Sequence, residues 1–106
     1  MKAYHNLVVG GEEYKLRLTT SAIKSIEKRL GKPLFTAMDN IQENLFDTVA
    51  AIIWGAAQPF NANFSYEKAE GLFDQYVEDG HDIEDWMNEI LELFAASGFL
   101  KKGQEL

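Results

Sequence analysis

The chain has 106 residues, 46% of them hydrophobic, no cysteine, and a net charge of −7. That length and apolar content suit one domain with its own core. The missing cysteines exclude disulfides, thiol catalysis and cysteine-held metal centres, and the acidic balance argues against a nucleic-acid partner. The charge is uneven. Residues 1–35 carry seven Lys/Arg against three Glu, whereas residues 36–106 carry three Lys against fourteen Asp/Glu. This split serves either as solvated surface or as complementarity between copies meeting head to tail.

The first segment reads as a β-hairpin. Tyr4 to Val9 and Glu13 to Leu18 are β-prone runs, and Gly10-Gly11, with Glu12, forms the turn. Tyr14, Leu16 and Leu18 alternate with Lys15 and Arg17, giving one apolar and one wet face. The residues before this run do not form a secretory signal. The longest strongly apolar run, Val49 to Ala57, is far below the ~20 residues that span a bilayer. A soluble cytoplasmic protein with no membrane partner is the expectation.

A first helix follows. Thr19, Thr20 or Ser21 is its N-cap, and Ile23, Ile26 and Leu30 form its apolar stripe. Gly31 and Pro33 stop it. Pro33 to Met38 is a short helical turn that breaks at Asp39-Asn40. Asn44 caps the next helix with Asp47 in a near capping box. Leu45, Val49, Ile52, Ile53, Ala56 and Phe60 share its apolar face, and Ala50, Ala51 and Ala57 widen that face until the helix is apolar nearly all round. Such a helix belongs at the centre of a domain. Pro59 ends it.

Ser65 caps a fourth helix with the face Ala69, Leu72, Phe73, Tyr76 and Val77, closed at Gly80. Asp82 caps a fifth, whose stripe is Ile83, Trp86, Met87, Ile90, Leu91 and Phe94. Gly98-Phe99 is a Schellman-type stop. The fold class is therefore α+β, mainly helical: one domain over residues 1–106, with a hairpin at 1–18, a bundle of about four to five helices at 19–99 and a flexible tail at 100–106.

No constellation for catalysis emerges. His5 and His81 stand far apart, outside any ligand spacing. The acidic stretch Glu78 to Asp85 fails the alternating oxygen pattern of a calcium loop from either Asp74 or Asp79, and helix capping accounts for it. No serine lies in a nucleophile elbow, and Gly10-Gly11 leads into a strand where a dinucleotide loop needs a helix. No enzyme activity, cofactor or metal is expected. The large aromatics Trp54, Phe60, Phe64, Trp86 and Phe99 fit either a core or a partner interface. Trp54 in particular needs a cover, because its helix is already saturated with apolar residues.

The order of features carries a resemblance. Tyr14-Lys15-Leu16-Arg17-Leu18-Thr19-Thr20 ends the hairpin, and Glu27-Lys28-Arg29-Leu30-Gly31-Lys32-Pro33-Leu34 ends the first helix. Leu72-Phe73-Asp74-Gln75-Tyr76-Val77-Glu78-Asp79-Gly80-His81-Asp82 precedes the acidic last helix, which closes on Ser97-Gly98-Phe99-Leu100. This chain resembles the small tail assembly chaperones of long-tailed phages and prophages. The resemblance implies a non-enzymatic protein of the host cytoplasm, absent from the mature virion. It would bind and solubilise the tape measure protein, help the tail tube protein polymerise around it, and associate with its own copies. Trp54, Phe60, Phe64 and Trp86 become candidate contact residues. Many such chaperones also exist in a longer, frameshifted form, and Lys101-Lys102 could be encoded by a slippery heptamer.

Two other classes compete. A charge-mimicking inhibitor would spread its acids over one face in phosphate-like spacing. An acyl carrier would need an Asp-Ser-Leu triplet, which the sequence lacks.

Overall fold

Two adjacent glycines in left-handed backbone start the fold. Gly10 has φ 60° and Gly11 φ 80°, the conformation a two-residue hairpin turn requires and a side chain resists. The computed structural model describes residues 3–100. In it β1 (His5–Val9) pairs antiparallel with β2 (Glu12–Leu16), from Val9 opposite Glu12 to His5 opposite Leu16. Glu12 thus belongs to the strand and not the turn, and β2 stops at Leu16, short of the expected Leu18. The chain leaves the ladder there because the Arg17 N–H donates to the Ala56 carbonyl at 2.9 Å and the Leu18 N–H to Ser97 Oγ at 2.8 Å. Leu7, Val9 and Leu16 are buried on one face, and Val8 and Lys15 are exposed on the other.

Helix α1 (Thr20–Leu30) is capped by Thr19, whose Oγ1 accepts from the Ala22 N–H, and ends at Gly31, whose φ is 74°. Helix α2 (Leu34–Asp39) has proline at its N-cap. Its first amide is capped from the preceding helix instead, the Leu34 N–H donating to Glu27 Oε2 at 2.7 Å. A 3-10 turn, Ile41–Glu43, follows the break at Asn40; the sequence reading did not anticipate it.

Helix α3 (Leu45–Ala57) is the buried centre. Thr48 to Ile53 and Gly55 to Ala57 are all buried. Two expectations are corrected here. Asn44 stands at the N-cap but its side chain makes no capping bond; its N–H is drawn back to the Ile41 carbonyl by the 3-10 turn. Phe60 lies outside the helix and is 45% exposed, because Pro59 has no N–H to continue the ladder and its ring crowds the preceding turn. Helix α1 crosses α3 at Gly55. A Cβ there would meet Ile26 Cδ1 at 2.8 Å and the Ala22 carbonyl at 3.2 Å.

Helix α4 (Tyr66–Glu78) is capped by Ser65 and buries Ala69, Leu72 and Tyr76. Phe73 is half-buried and Val77 exposed. Helix α5 (Ile83–Ala96) starts with a reciprocal capping box between Asp82 and Asp85 and buries Trp86, Ile90, Leu93 and Phe94. Ile83, assigned to its stripe, is exposed, whereas Leu93 is fully buried. Gly98, at φ 93°, ends α5 with the Phe99 N–H donating to the Phe94 carbonyl at 2.9 Å, the bond pattern of a Schellman stop. The described residues therefore form an α+β fold, mainly helical, with one hairpin and five α-helices. Among them no helix is long and apolar enough to cross a membrane. The expected tail at 100–106, Lys101-Lys102 included, lies outside the described residues apart from Leu100, which is half-buried.

Candidate functional site: an acid-rimmed apolar groove

Aromatic side chains from three helices touch in sequence. Phe46, in the first turn of α3, lies 5.4 Å from Phe73 of α4, ring centre to ring centre. Phe73 lies 5.6 Å from Trp86 of α5, and Trp86 lies 4.7 Å from Tyr76. His81 then stacks on Tyr76 at 4.2 Å with the planes 12° apart. The tilted pairs from Phe46 to Tyr76 have favourable aromatic geometry, and the last pair is stacked. Trp86, in the middle of this series, is 2% exposed, and Phe46, at its end, is 56% exposed.

The exposed end opens into a groove of about 330 Å³ between α3 and α4. Phe46 and Phe73 wall it; Val49, Ala50, Ala69 and the edge of Trp86 floor it. Its polar rim consists of Asp47, Glu70 and Asp74, with no Lys or Arg in the lining. Among the described residues the close contacts between a basic side chain and a carboxylate are His5 with Glu89 and His81 with Asp85, so no Lys or Arg pairs directly with these three carboxylates. The described cations are occupied elsewhere or sit on other elements. Arg29 lies over Trp54 and Tyr66, Lys15 over Tyr4, and Lys68 over Tyr14.

A second polar cluster fastens the hairpin to the helices. His5 Nε2 is 2.6 Å from Glu89 Oε1, and the Tyr76 hydroxyl donates to Glu89 Oε2 at 3.2 Å. Burial first, and the Glu89 carboxylate second, push the Tyr76 hydroxyl well above its ordinary range. At the turn, the Gly10 N–H donates to Asp79 Oδ2 at 2.7 Å. That bond, with a second from Gln75, holds the Asp79 carboxyl below its usual value. Both of the Glu89 oxygens are engaged by these partners, and Ser97 Oγ is taken by the Leu18 amide. The cluster is a fastening. No group of three or more His, Asp or Glu side chains among the described residues is disposed to hold a metal ion.

The four aromatics singled out from sequence do not converge. Trp54 is half-buried, with Arg29 over its ring and Tyr66 edge-on at 6.3 Å, so α1 and α4 cover it. Phe64 is 6% exposed and packs edge-on to Tyr14. Phe60 is exposed and packs edge-on to Tyr4; with Phe64 it borders a separate recess against β2. Trp86 reaches the candidate groove, but only from beneath. The residues that sequence reasoning missed are Phe46 and Phe73. Phe46 carried a signal: it sits beside the stripe Leu45, Val49 and Ile52, off the buried face and next to Asp47.

No curated protein and no solved structure matches the chain. One family model does, over residues 1–105, and on that match the chain belongs to DUF6096, a family of unknown function.

Proposed function

We propose that this protein is a tail assembly chaperone of long-tailed phages and prophages. It works without catalysis in the host cytoplasm and does not remain in the mature virion. It binds the tape measure protein, keeps it soluble, and promotes assembly of tail tube protein around it, with copies associating along the ruler. The observation that carries this reading is the open apolar groove between α3 and α4, with Phe46 exposed at its lip. A long helical ruler presents apolar stripes that aggregate when naked. A groove of this kind accepts such a stripe in the manner of helix-in-groove recognition, and the surrounding negative charge keeps the assembly dispersed. The sequence features that resemble the chaperone family support the same reading.

The alternative is an acidic inhibitor that mimics nucleic-acid charge. It fits less well, because a mimic gains nothing from an apolar recess inside its carboxylates. The test is co-expression of the tagged chain with the tape measure protein encoded beside it. The expected result is a soluble complex that Phe46→Ser weakens. A tape measure protein that stays insoluble and unbound in the presence of the wild-type chain, in both the short and any frameshifted form, sinks the proposal. Inspection of the mRNA across codons 100–104 decides whether a slippery heptamer permits that longer form.

A further inference from the structure

We infer that the groove selects a cationic amphipathic helix of a partner protein, reading Lys or Arg on the flanks of an apolar stripe. The inference rests on the groove being the face that holds the partner, as proposed above, and adds the chemistry of what it holds.

The argument is electrostatic. Glu70, Asp74 and Glu78 follow one another at one-turn spacing along α4, and like charges at that spacing repel and weaken a helix. Asp47 stands on the opposite wall, on α3. A stable isolated protein would relieve such a row with Lys or Arg one turn away. Here no described Lys or Arg pairs with any of the four carboxylates. Three of these carboxylates, Asp47, Glu70 and Asp74, rim an apolar surface that water wets poorly. Repulsion and poor wetting are relieved together when a helix arrives with apolar side chains for the groove and cations for the rim.

The occupant is not a second copy of this chain. Its basic helix, α1, spends its apolar residues internally. Ala22 and Ile26 are buried against the core, Ile23 and Leu30 are half-buried, and its exposed positions are Thr20, Ser21, Lys24, Lys28 and Arg29. That surface offers charge without an apolar stripe. Nucleic acid and anionic membrane surfaces are turned away by the same carboxylates.

The test uses the full chain and fluorescently labelled peptides of about 18 residues, long enough to form helix on binding. One has a leucine stripe at helical spacing flanked by lysines. A second keeps the leucines and replaces lysine by glutamate. A third is the leucine–lysine peptide scrambled. The expected result is that the leucine–lysine peptide binds about tenfold or more tighter than either other peptide, weakening with salt. Glu70→Gln with Asp74→Asn removes that preference; Glu12→Gln with Glu13→Gln, on the hairpin, leaves it. Phe46→Ser weakens binding of every striped peptide.

Four results overturn the inference. If the leucine–glutamate peptide binds as tightly through Phe46, charge selection fails while the groove reading stands. If the scrambled peptide binds as tightly, the attraction is unspecific. If neither striped peptide binds a chain that still captures the tape measure protein, the partner uses another face. If the chain self-associates through Phe46 and the peptide does not displace the second copy, the occupant is that copy. Conversely, peptide selection that holds while tape measure capture fails removes the chaperone reading and leaves this inference in place.

Discussion

The guanidinium of Arg29 sits 4.6 Å from the centre of the Trp54 ring. It also lies 4.0 Å from the Tyr66 ring, so one cation fastens α1 to α3 and to the start of α4. A planar guanidinium stacks on aromatic faces while its stem covers them. Arg29→Ala is expected to lower unfolding free energy by ~1 kcal/mol and to shift part of the tryptophan emission to the red as Trp54 meets water. Arg29→Lys recovers only part of the loss, because an ammonium cannot stack on both rings. A denaturant midpoint and emission spectrum unchanged in Arg29→Ala would show that the contact contributes nothing.

Two glycines inside helices should respond oppositely to alanine. At Gly55 a Cβ would collide with Ile26 and the Ala22 carbonyl, so Gly55→Ala must push α1 off α3 and cost about 1–3 kcal/mol. Gly71, in α4, has nothing within 4 Å of the same position. Gly71→Ala should stabilise by roughly 0.5–1 kcal/mol through helix propensity. Thermal unfolding of the two variants side by side checks both signs.

Asp79 links the hairpin turn to the end of α4. Its carboxyl is held below the usual 3.8, first by the Gly10 N–H and then by the Gln75 amide. A carboxylate whose folded value is depressed adds stability above its unfolded value and loses it as pH falls through the folded one. Asp79→Asn should therefore be less stable than wild type at pH 7, with the gap closing as the pH falls below about 3.8. A gap that stays constant from neutral to acid pH would assign the effect to packing.

Tyr76 gives the mirror case at high pH. Burial and Glu89 raise its hydroxyl above 10.0, so the folded state holds the proton that the unfolded state releases. The contribution is whole below pH 10 and declines as pH rises beyond it. Tyr76→Phe should lose about 1 kcal/mol at neutral pH from the missing bond to Glu89, yet unfold less steeply than wild type in alkali. Urea midpoints from pH 8 to 11 measure this directly.

How much of this was legible in the sequence varies with the origin of each feature. The Gly10-Gly11 turn, the Ser65 and Asp82 caps and the glycine stops are local, set by residues within a few positions, and are legible in the chain; the first N-cap narrows only to Thr19, Thr20 or Ser21, and Glu12 falls in the strand and not the turn. The ends of β2 and α3 were misplaced, because the Arg17 amide turns to Ala56, and Pro59 frees Phe60 before the apolar pattern ends. Glu27 capping α2 and Arg29 covering Trp54 need two elements to meet, which periodicity cannot express. The groove was missed for the same reason. Residue type alone ranks Trp86 as a contact candidate although it is, with Tyr76, one of the two best-buried rings of its series, and it gives no reason to prefer Phe60 or Phe64 over Phe46 at the lip.

Under the proposed function, that contrast makes binding and folding separable at a single site. Phe46 is 56% exposed and Trp86 2%, though both belong to one run of touching rings through Phe73. Trp86→Ala should cost about 3–5 kcal/mol, as large core truncations do, and any loss of the proposed partner capture in it will come with a large drop in stability. Phe46→Ala forfeits only half-buried packing against Phe73, on the order of 1 kcal/mol, and leaves the fold intact. Loss of tape measure capture in Phe46→Ala, with circular dichroism and unfolding close to wild type, is the outcome that assigns the lip of the groove to binding. Full capture by the same variant would move the binding surface away from α3 and α4, whatever Trp86→Ala does.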